Sequence, residues 1–444
     1  MRYHLIAIGG SVMHNFAIDL KDMGHEITGS DDEIYEPSRS RLKSNGLLPE
    51  HIGWDADRIH ENIDAVILGK HAREDNPELI KALSLDLPIY SFPEFFSRHT
   101  SATRRVCIAG SHGKTTTTSM IMHVLQKEGF DFDYLVGANL DGFEKMVKIS
   151  NADIMVVEGD EYPSSCLDDR AKMLHYNPGI AVITGVAWDH INIYKTYDSY
   201  IKVFSDFLNL MPKDSICYFD QNDDELLKLM VHGAHDCQKH AYLHFESDRE
   251  GNIIFRSHKY PVQVFGKHNM SNLKAAYHVC SSLGIDDHKF FSAIKSFKGA
   301  AKRLEKLYEK DGVIVYRDFA HAPSKCKASC EAIRSKYSKS RIFGILELHT
   351  FSSLDQSFID QYRNAMNALD SGLVYFDPHA LEMKKMPSLD IRTVHQSFNH
   401  PNLQIINSGE ILKPSLLNTI EAYDVILIMS SGNLGGLDLD EIFN

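Results

Sequence analysis

Arg104-Arg105-Val106-Cys107-Ile108-Ala109-Gly110-Ser111-His112-Gly113-Lys114-Thr115-Thr116-Thr117-Thr118-Ser119-Met120 is the stretch around which the chain is organised. Val106 to Ala109 is a short apolar run of the kind that forms a buried strand. It enters a loop bounded by Gly110 and Gly113, and Met120 to Leu125 continue as a helix. Gly-x-x-Gly-Lys-Thr between a strand and a helix is a phosphate-binding arrangement, shorter between its glycines than the usual Gly-x-x-x-x-Gly-Lys-Ser/Thr. The glycines let the amides of Gly110, Ser111, His112 and Gly113 approach an anion, and the helix start adds unpaired N–H groups. Lys114 suits the β- and γ-phosphates, Thr115 offers a hydroxyl to magnesium, and Thr116 belongs to the same run. ATP with magnesium is the expected ligand.

Working outward, 444 residues suffice for about three domains. The 47 basic and 60 acidic side chains leave a net charge of −13, which argues against a nucleic-acid surface. No run of about 18 apolar residues is present, so no membrane insertion is expected. Met1 to Ile6 reads as a strand and not as a signal peptide. The seven cysteines lack paired metal spacing, and a reduced, cytoplasmic setting fits them.

Residues 1–100 read as a Rossmann-like unit. Leu5 to Ser11 is a strand entering a glycine turn, Phe16 to Met23 a helix, and His25 to Asp31 a second strand ending in an acid. Gly9 and Asp31 are thus 22 residues apart at adjacent strand tips, the layout of a nucleotide crevice. The turn is not Gly-x-Gly-x-x-Gly, so NAD is disfavoured. Ala65 to Gly69 and Pro88 to Ser91 are further strands, and Asn76-Pro77 starts a helix. Ser97 to Arg105 reads as a linker.

Residues 101–299 form the central P-loop unit with a mostly parallel sheet. Asp153 to Tyr162 is a strand ending in three acids. Glu158 is the first choice for magnesium, with Asp160 and Glu161 lining the rim or holding water. The strand Ile180 to Thr184 leads to Asp189-His190, where His190 suits a second ion or is a surface residue. Asp220 to Glu225 reads as a solvated turn. Asn269 and Asn272 share one helix face and either contact a nucleobase or cap the helix. Gly299 to Arg303 reads as a second linker. Residues 300–444 are a third α/β unit, also Rossmann-like, with strands at 313–316, 342–346, 373–376 and 425–429. Its last strand runs into Ser430-Ser431-Gly432, a loop able to wrap an anionic or peptide-like group or simply to turn into the final helix.

Taken together, these motifs resemble the Mur ligase family of peptidoglycan enzymes. The likeness lies in Gly110–Thr117, Glu158-Gly159-Asp160-Glu161-Tyr162, Asp189-His190, Gly266-Lys267-His268-Asn269 with Asn272, and Asp318-Phe319-Ala320-His321 before Pro323. The resemblance implies that ATP phosphorylates the lactyl carboxylate of UDP-N-acetylmuramate and that an amino acid or short peptide amine attacks the acyl phosphate. It implies Lys114, Glu158, His190 and His321 as catalytic residues, and Thr115, Glu158 and His190 around two magnesium ions. Asn269, Asn272, Arg303 and Asp318 would contact ATP. Gly9, Ser11, Ser30 and Asp31 would hold the UDP moiety, and His349 and Ser431 the amine substrate. A monomer or weak dimer is expected.

Within the family, the branch that adds the recycled tripeptide L-Ala-γ-D-Glu-meso-diaminopimelate is the nearer likeness. Tyr35-Glu36-Pro37, Asp168 to Lys172 and Met429 to Gly432 carry it. The branch that adds L-alanine is the alternative, as is a divergent member with an altered substrate or a non-catalytic binding role. Arg317, Ala322, His349, Gly69-Lys70-His71 and His14-Asn15 depart from the family pattern. A histidine at 349 cannot reproduce the bidentate grip that an arginine gives a carboxylate. A switch-type GTPase is disfavoured because no Asn-Lys-x-Asp guanine motif is present.

Overall fold

The computed structural model describes residues 1–420 and 422–443. Three mostly parallel sheets organise it. The first has the spatial order Glu26–Ser30, Arg2–Ile6, Ala65–Leu68, Ile89–Ser91, all parallel. The second orders its seven strands Gln238–Tyr242, Ile216–Asp220, Ile180–Ile183, Arg104–Ala109, Ile154–Gly159, Phe132–Leu135 and Val147–Lys148, and only the last is antiparallel. The third runs Glu305–Lys310, Val313–Asp318, Val425–Met429, Ile342–Leu348, Ser371–Phe376, Leu403–Ile406, with an antiparallel first strand. The expected three-unit α/β fold is thus present.

Helices cover both faces of such sheets, so their inner strands are apolar throughout instead of alternating. Ile154–Gly159, Ile342–Leu348 and Val425–Met429 are buried at every residue. One apolar core runs from Leu5 in the first sheet to Phe297 in the central unit. Polar ties reinforce that junction: Lys145 pairs with Asp19 at 2.5 Å, Asn15 accepts the Met146 N–H at 3.1 Å, and Arg41 donates to the Glu144 carbonyl at 2.8 Å. The last sheet carries its own core on each face. It meets the central unit through Lys325, 3.1 Å from Asp189.

Several local expectations change. Ser97 to Arg105 is mostly not a linker. Phe92–His99 is a helix, capped by Ser91, and strand pairing resumes at Arg104. The cap and Pro93 set its start, and burial of Phe92, Phe95 and Phe96 holds it. The first helix is Ser11–Asp22, five residues earlier at its start than the apolar pattern suggested. Asp220 to Glu225 is not merely a solvated turn. Asp223 caps the helix Asp224–His232 and also accepts the Val186 N–H at 2.7 Å. Glu305–Lys310 and Leu403–Ile406 are strands on the edges of the last sheet, with mixed polar and apolar sequences that hid them.

Phe95 is fully buried, stacked on His99 at 3.7 Å and edge-on to Tyr3 at 5.0 Å and Phe16 at 5.6 Å. Phe95→Ala is expected to cost about 3–5 kcal/mol, read as a lower urea midpoint of the first transition.

Candidate active site

The strand Arg104–Ala109 lies between Ile180–Ile183 and Ile154–Gly159, so the loops after all three converge at one sheet edge. This is where parallel sheets bind ligands. Gly110 and Gly113 both take positive φ, +124° and +77°. A Cβ on Gly110 would stand 2.3 Å from Thr184 Oγ1, and one on Gly113 2.3 Å from Asn272 Oδ1. The loop is therefore pressed against its neighbours on both sides, and Gly113 leads directly into the helix Lys114–Lys127.

Lys114 donates to the Gly110 carbonyl and pairs with Glu161 at 2.7 Å. Glu161 is completely buried, and its other oxygen meets His190 Nε2 at 3.0 Å and the Tyr200 hydroxyl at 3.3 Å. Burial works to raise the Glu161 pKa, but Lys114 and His190 outweigh it and hold the carboxyl below its ordinary value. The placement of Glu161 at the rim is thus corrected: it is the hub of the site. Asp160 keeps a rim position, paired with Lys172 at 2.6 Å. His190 takes a positive φ of 57°, which turns its ring toward the acids and against Tyr162 at 4.3 Å.

Thr115 Oγ1 lies 3.2 Å from Glu158 Oε2. Burial raises the Glu158 pKa against the opposing Gly137 N–H and Lys114. Glu158 Oε1 is buried and has no hydrogen-bond partner. An orphaned carboxylate oxygen beside a phosphate-loop threonine fits magnesium, which takes one or two protein oxygens and completes its shell with phosphates and water. No cluster of three or more His, Cys, Asp or Glu side chains able to hold a metal exists among the described residues.

A cavity of about 830 Å³ opens over the loop. Asn269 and Asn272 line it from the helix Lys267–Ser282. Neither caps that helix: Asn269 donates to the Phe265 carbonyl at 2.9 Å, and Asn272 donates to Asn269 Oδ1 at 3.4 Å. From the last unit come Arg303, whose guanidinium lies 4.5 Å over the Phe319 ring, with Asp318, His321 and Lys325. The Asp318 carboxylate is occupied by the Leu304 and Ala320 N–H groups, both at 2.7 Å. Burial raises its pKa while Arg303 opposes. His321 Nδ1 donates to the Phe319 carbonyl at 2.8 Å, which leaves Nε2 as an acceptor. Burial, then Lys325, pushes His321 down to about 3. Burial also lowers His112, and it pushes His268 down to about 4. These imidazoles are therefore neutral, and the positive charge of the cavity belongs to its lysines and Arg303.

The remaining expected residues stand apart from this cavity. Gly9 donates its N–H to Asp31 at 2.7 Å, so the glycine turn and the acid are bonded to each other. Ser11 faces Met146 Sδ at 3.5 Å. Ser30 is fully buried and donates to Glu78, which also meets His4 at 3.2 Å. Its hydroxyl braces the inside of the first unit. His349 lies against the Gly432 backbone and 4.0 Å from Glu347, while Ser431 Oγ is buried without a partner. Arg317 pairs with Glu305 at 3.0 Å in the edge hairpin. Ala322 precedes the helix Pro323–Lys336. Sequence reasoning passed over Val12, Lys70 and Phe92 of the first unit, all of which line the cavity. The departure at Lys70 was the one available signal.

The comparisons with known proteins agree with this geometry. The model of the Mur ligase family, catalytic domain, matches residues 2–104, and that of the Mur ligase middle domain matches 108–280. The UDP-N-acetylmuramate–L-alanyl-γ-D-glutamyl-meso-2,6-diaminoheptandioate ligase of Escherichia coli (strain K12) is 27% identical, over 98% of this chain and 96% of its own. The UDP-N-acetylmuramate–L-alanine ligase of Arthrobacter sp. (strain FB24) is 31% identical over 84% of this chain and 80% of its own. The crystal structure of UDP-N-acetylmuramate-alanine ligase MurC from Thermotoga maritima shares the fold, with a TM-score of 0.71 and 20% identity over 98% of this chain and 96% of that one.

Gly113→Ala is expected to weaken ATP binding by about tenfold or more, because a left-handed residue would also collide with Asn272. Gly129→Ala, at φ +74° with open space around it, serves as control and should leave ATP affinity unchanged in calorimetry. A second expectation concerns pH. Burial, then Asp32, pushes Asp31 up to about 6 from an ordinary value of 3.8. The folded state therefore holds that proton more tightly than the unfolded chain. The stability it contributes is complete below about pH 4 and is lost as pH rises through about 6. Between pH 4.5 and 6.5 the wild type should lose on the order of 2 kcal/mol relative to Asp31→Asn, measured by urea unfolding.

Proposed function

Because this chain belongs to the Mur ligase family, whose members are ATP-dependent ligases, we propose that it joins a peptide amine to the lactyl carboxylate of UDP-N-acetylmuramate. The tripeptide L-Ala-γ-D-Glu-meso-diaminopimelate is the proposed amine. The observation that carries the reading is the cavity over the phosphate loop, which is walled by side chains from all three units. A reaction that combines a nucleotide sugar, ATP and an amine needs such a junction.

A carboxylate is a poor electrophile, so it is first converted to an acyl phosphate. Its oxygen attacks the γ-phosphorus, and the bond to the β-phosphate oxygen breaks. Lys114 neutralises the charge that builds on the transferring group. Thr115 and Glu158 would hold one magnesium ion and His190 would help hold a second; such ions neutralise and orient phosphate oxygens. Glu161 positions Lys114 and His190. Asn269, Asn272 and Arg303 border the nucleotide, and Asp318 secures the backbone that presents Arg303. The amine nitrogen then attacks the acyl carbon and gives up a proton to solvent, and phosphate leaves from the tetrahedral intermediate. His321, neutral and with Nε2 free to accept, orients the incoming amine. The amine would lie toward His349 and Ser431 of the last unit, and the UDP moiety along the crevice of Gly9, Ser11 and Asp31.

L-Alanine as the amine is the second reading, favoured by the 31% identity to an alanine-adding relative. The two separate in an amine-dependent phosphate-release assay with ATP and UDP-N-acetylmuramate. Turnover with the tripeptide and not with L-alanine is expected, and Lys114→Ala should lower kcat/KM by about a thousandfold. Turnover with alanine alone would sink the tripeptide reading. No phosphate release with either amine would sink both.

A further inference from the structure

Three lysines converge on three consecutive residues. Lys172 pairs with Asp160 at 2.6 Å, Lys114 pairs with Glu161 at 2.7 Å, and Lys70 Nζ lies 3.2 Å over the centre of the Tyr162 ring. The first two belong to the central unit. Lys70 comes from the first unit, just after the strand Ala65–Leu68. Gly69 before it is packed tightly: a Cβ there would stand 3.0 Å from Ala7 Cβ and 3.1 Å from the Ile6 carbonyl. The backbone that presents Lys70 is thus seated on the first sheet, on the edge where Gly9 and Asp31 also stand, while its side chain lines the cavity that contains Lys114.

The three partners are not equally strong. Lys172 and Lys114 hold carboxylates through charge-assisted hydrogen bonds. Lys70 forms no ion pair among the described residues, and a ring face holds an ammonium less firmly than a carboxylate does. The residue as a whole is exposed, and its side chain lines the cavity. Desolvation by the surrounding wall, then Lys172, pulls its pKa down to about 8, and a carboxylate placed beside it would favour the charged form. Of the three it is the cation an incoming anion can recruit at least cost.

The geometry assigns Lys70 as a specificity residue for the first substrate: its ammonium leaves the Tyr162 ring to bind the free carboxylate of a nucleotide-linked sugar acid seated on the first sheet, and holds that carboxylate toward Lys114. This rests on the ligation proposed above and names the group that recognises the carboxylate to be activated. Tyr162 serves as the resting partner of Lys70, and the exchange leaves no buried charge behind.

The test is calorimetric and needs no turnover. Wild type, Lys70→Met and Lys70→Arg are titrated with UDP-N-acetylmuramate and with UDP-N-acetylglucosamine, which has the same nucleotide and sugar ring but no lactyl carboxylate. The wild type should prefer the carboxylated ligand by about tenfold or more. Lys70→Met should lose that preference while keeping its affinity for UDP-N-acetylglucosamine and for ATP, which also shows that it is folded. Lys70→Arg should regain most of it. A preference retained in Lys70→Met overturns the assignment alone, and so does a wild type that binds both ligands equally. A wild type that binds neither nucleotide sugar overturns the assignment together with the ligation on which it rests.

Discussion

A buried carboxylate can stay charged only if its partners replace the water it has lost. Glu161 meets that condition with Lys114 at 2.7 Å on one oxygen and His190 at 3.0 Å on the other. The three residues come from three separate loops of the central sheet: the one after Ile154–Gly159, the phosphate loop, and the one after Ile180–Ile183. Each loop is thereby fixed relative to the other two. The constraint extends further, because Asp189 beside His190 pairs with Lys325 of the last unit. A chain of polar contacts, Lys114 to Glu161 to His190 and Asp189 to Lys325, therefore runs from the phosphate loop across the junction between the units.

The charge pattern around the cavity also explains how a chain with a net charge of −13 can bind polyanions. Burial keeps His112, His268 and His321 neutral, and Glu161 and Asp160 are paired with lysines. Local positive potential then rests on a few lysines and Arg303, close to where phosphate oxygens would lie. Overall charge governs long-range encounter, whereas a site is decided by which charges are desolvated and paired within it.

The departures from the family pattern differ in what the fold does with them. Arg317 is engaged in an edge hairpin and Ala322 sits at a helix start, so both have plain structural roles. Lys70 and His349 do not. One lines the shared cavity, and the other lies beside the loop after the last strand. The core of the phosphate loop carries no such change, which fits a unit whose task is the same whatever carboxylate and amine are joined.

Much of this was legible in the chain itself. The Gly-x-x-Gly-Lys-Thr loop, the apolar strands and the asparagine pair at 269 and 272 are local patterns, because phosphate binding and strand burial depend on residues close in sequence. The end of the helix Phe92–His99, from Ser97 on, was misread as linker because the helix is held by aromatic contacts of Phe95 with Tyr3 and Phe16, far away in the chain. The edge strands escaped notice because one of their sides faces water and no apolar run marks them. Glu161 and Lys70 were underrated for a related reason. Whether an acid is a rim residue or a hub, and whether a lysine meets a ring or a carboxylate, depends on which distant segment folds beside it. Sequence determined the chemistry each segment can offer; only the tertiary structure decided which of those offers are buried together, where loss of water makes partner choice energetically decisive.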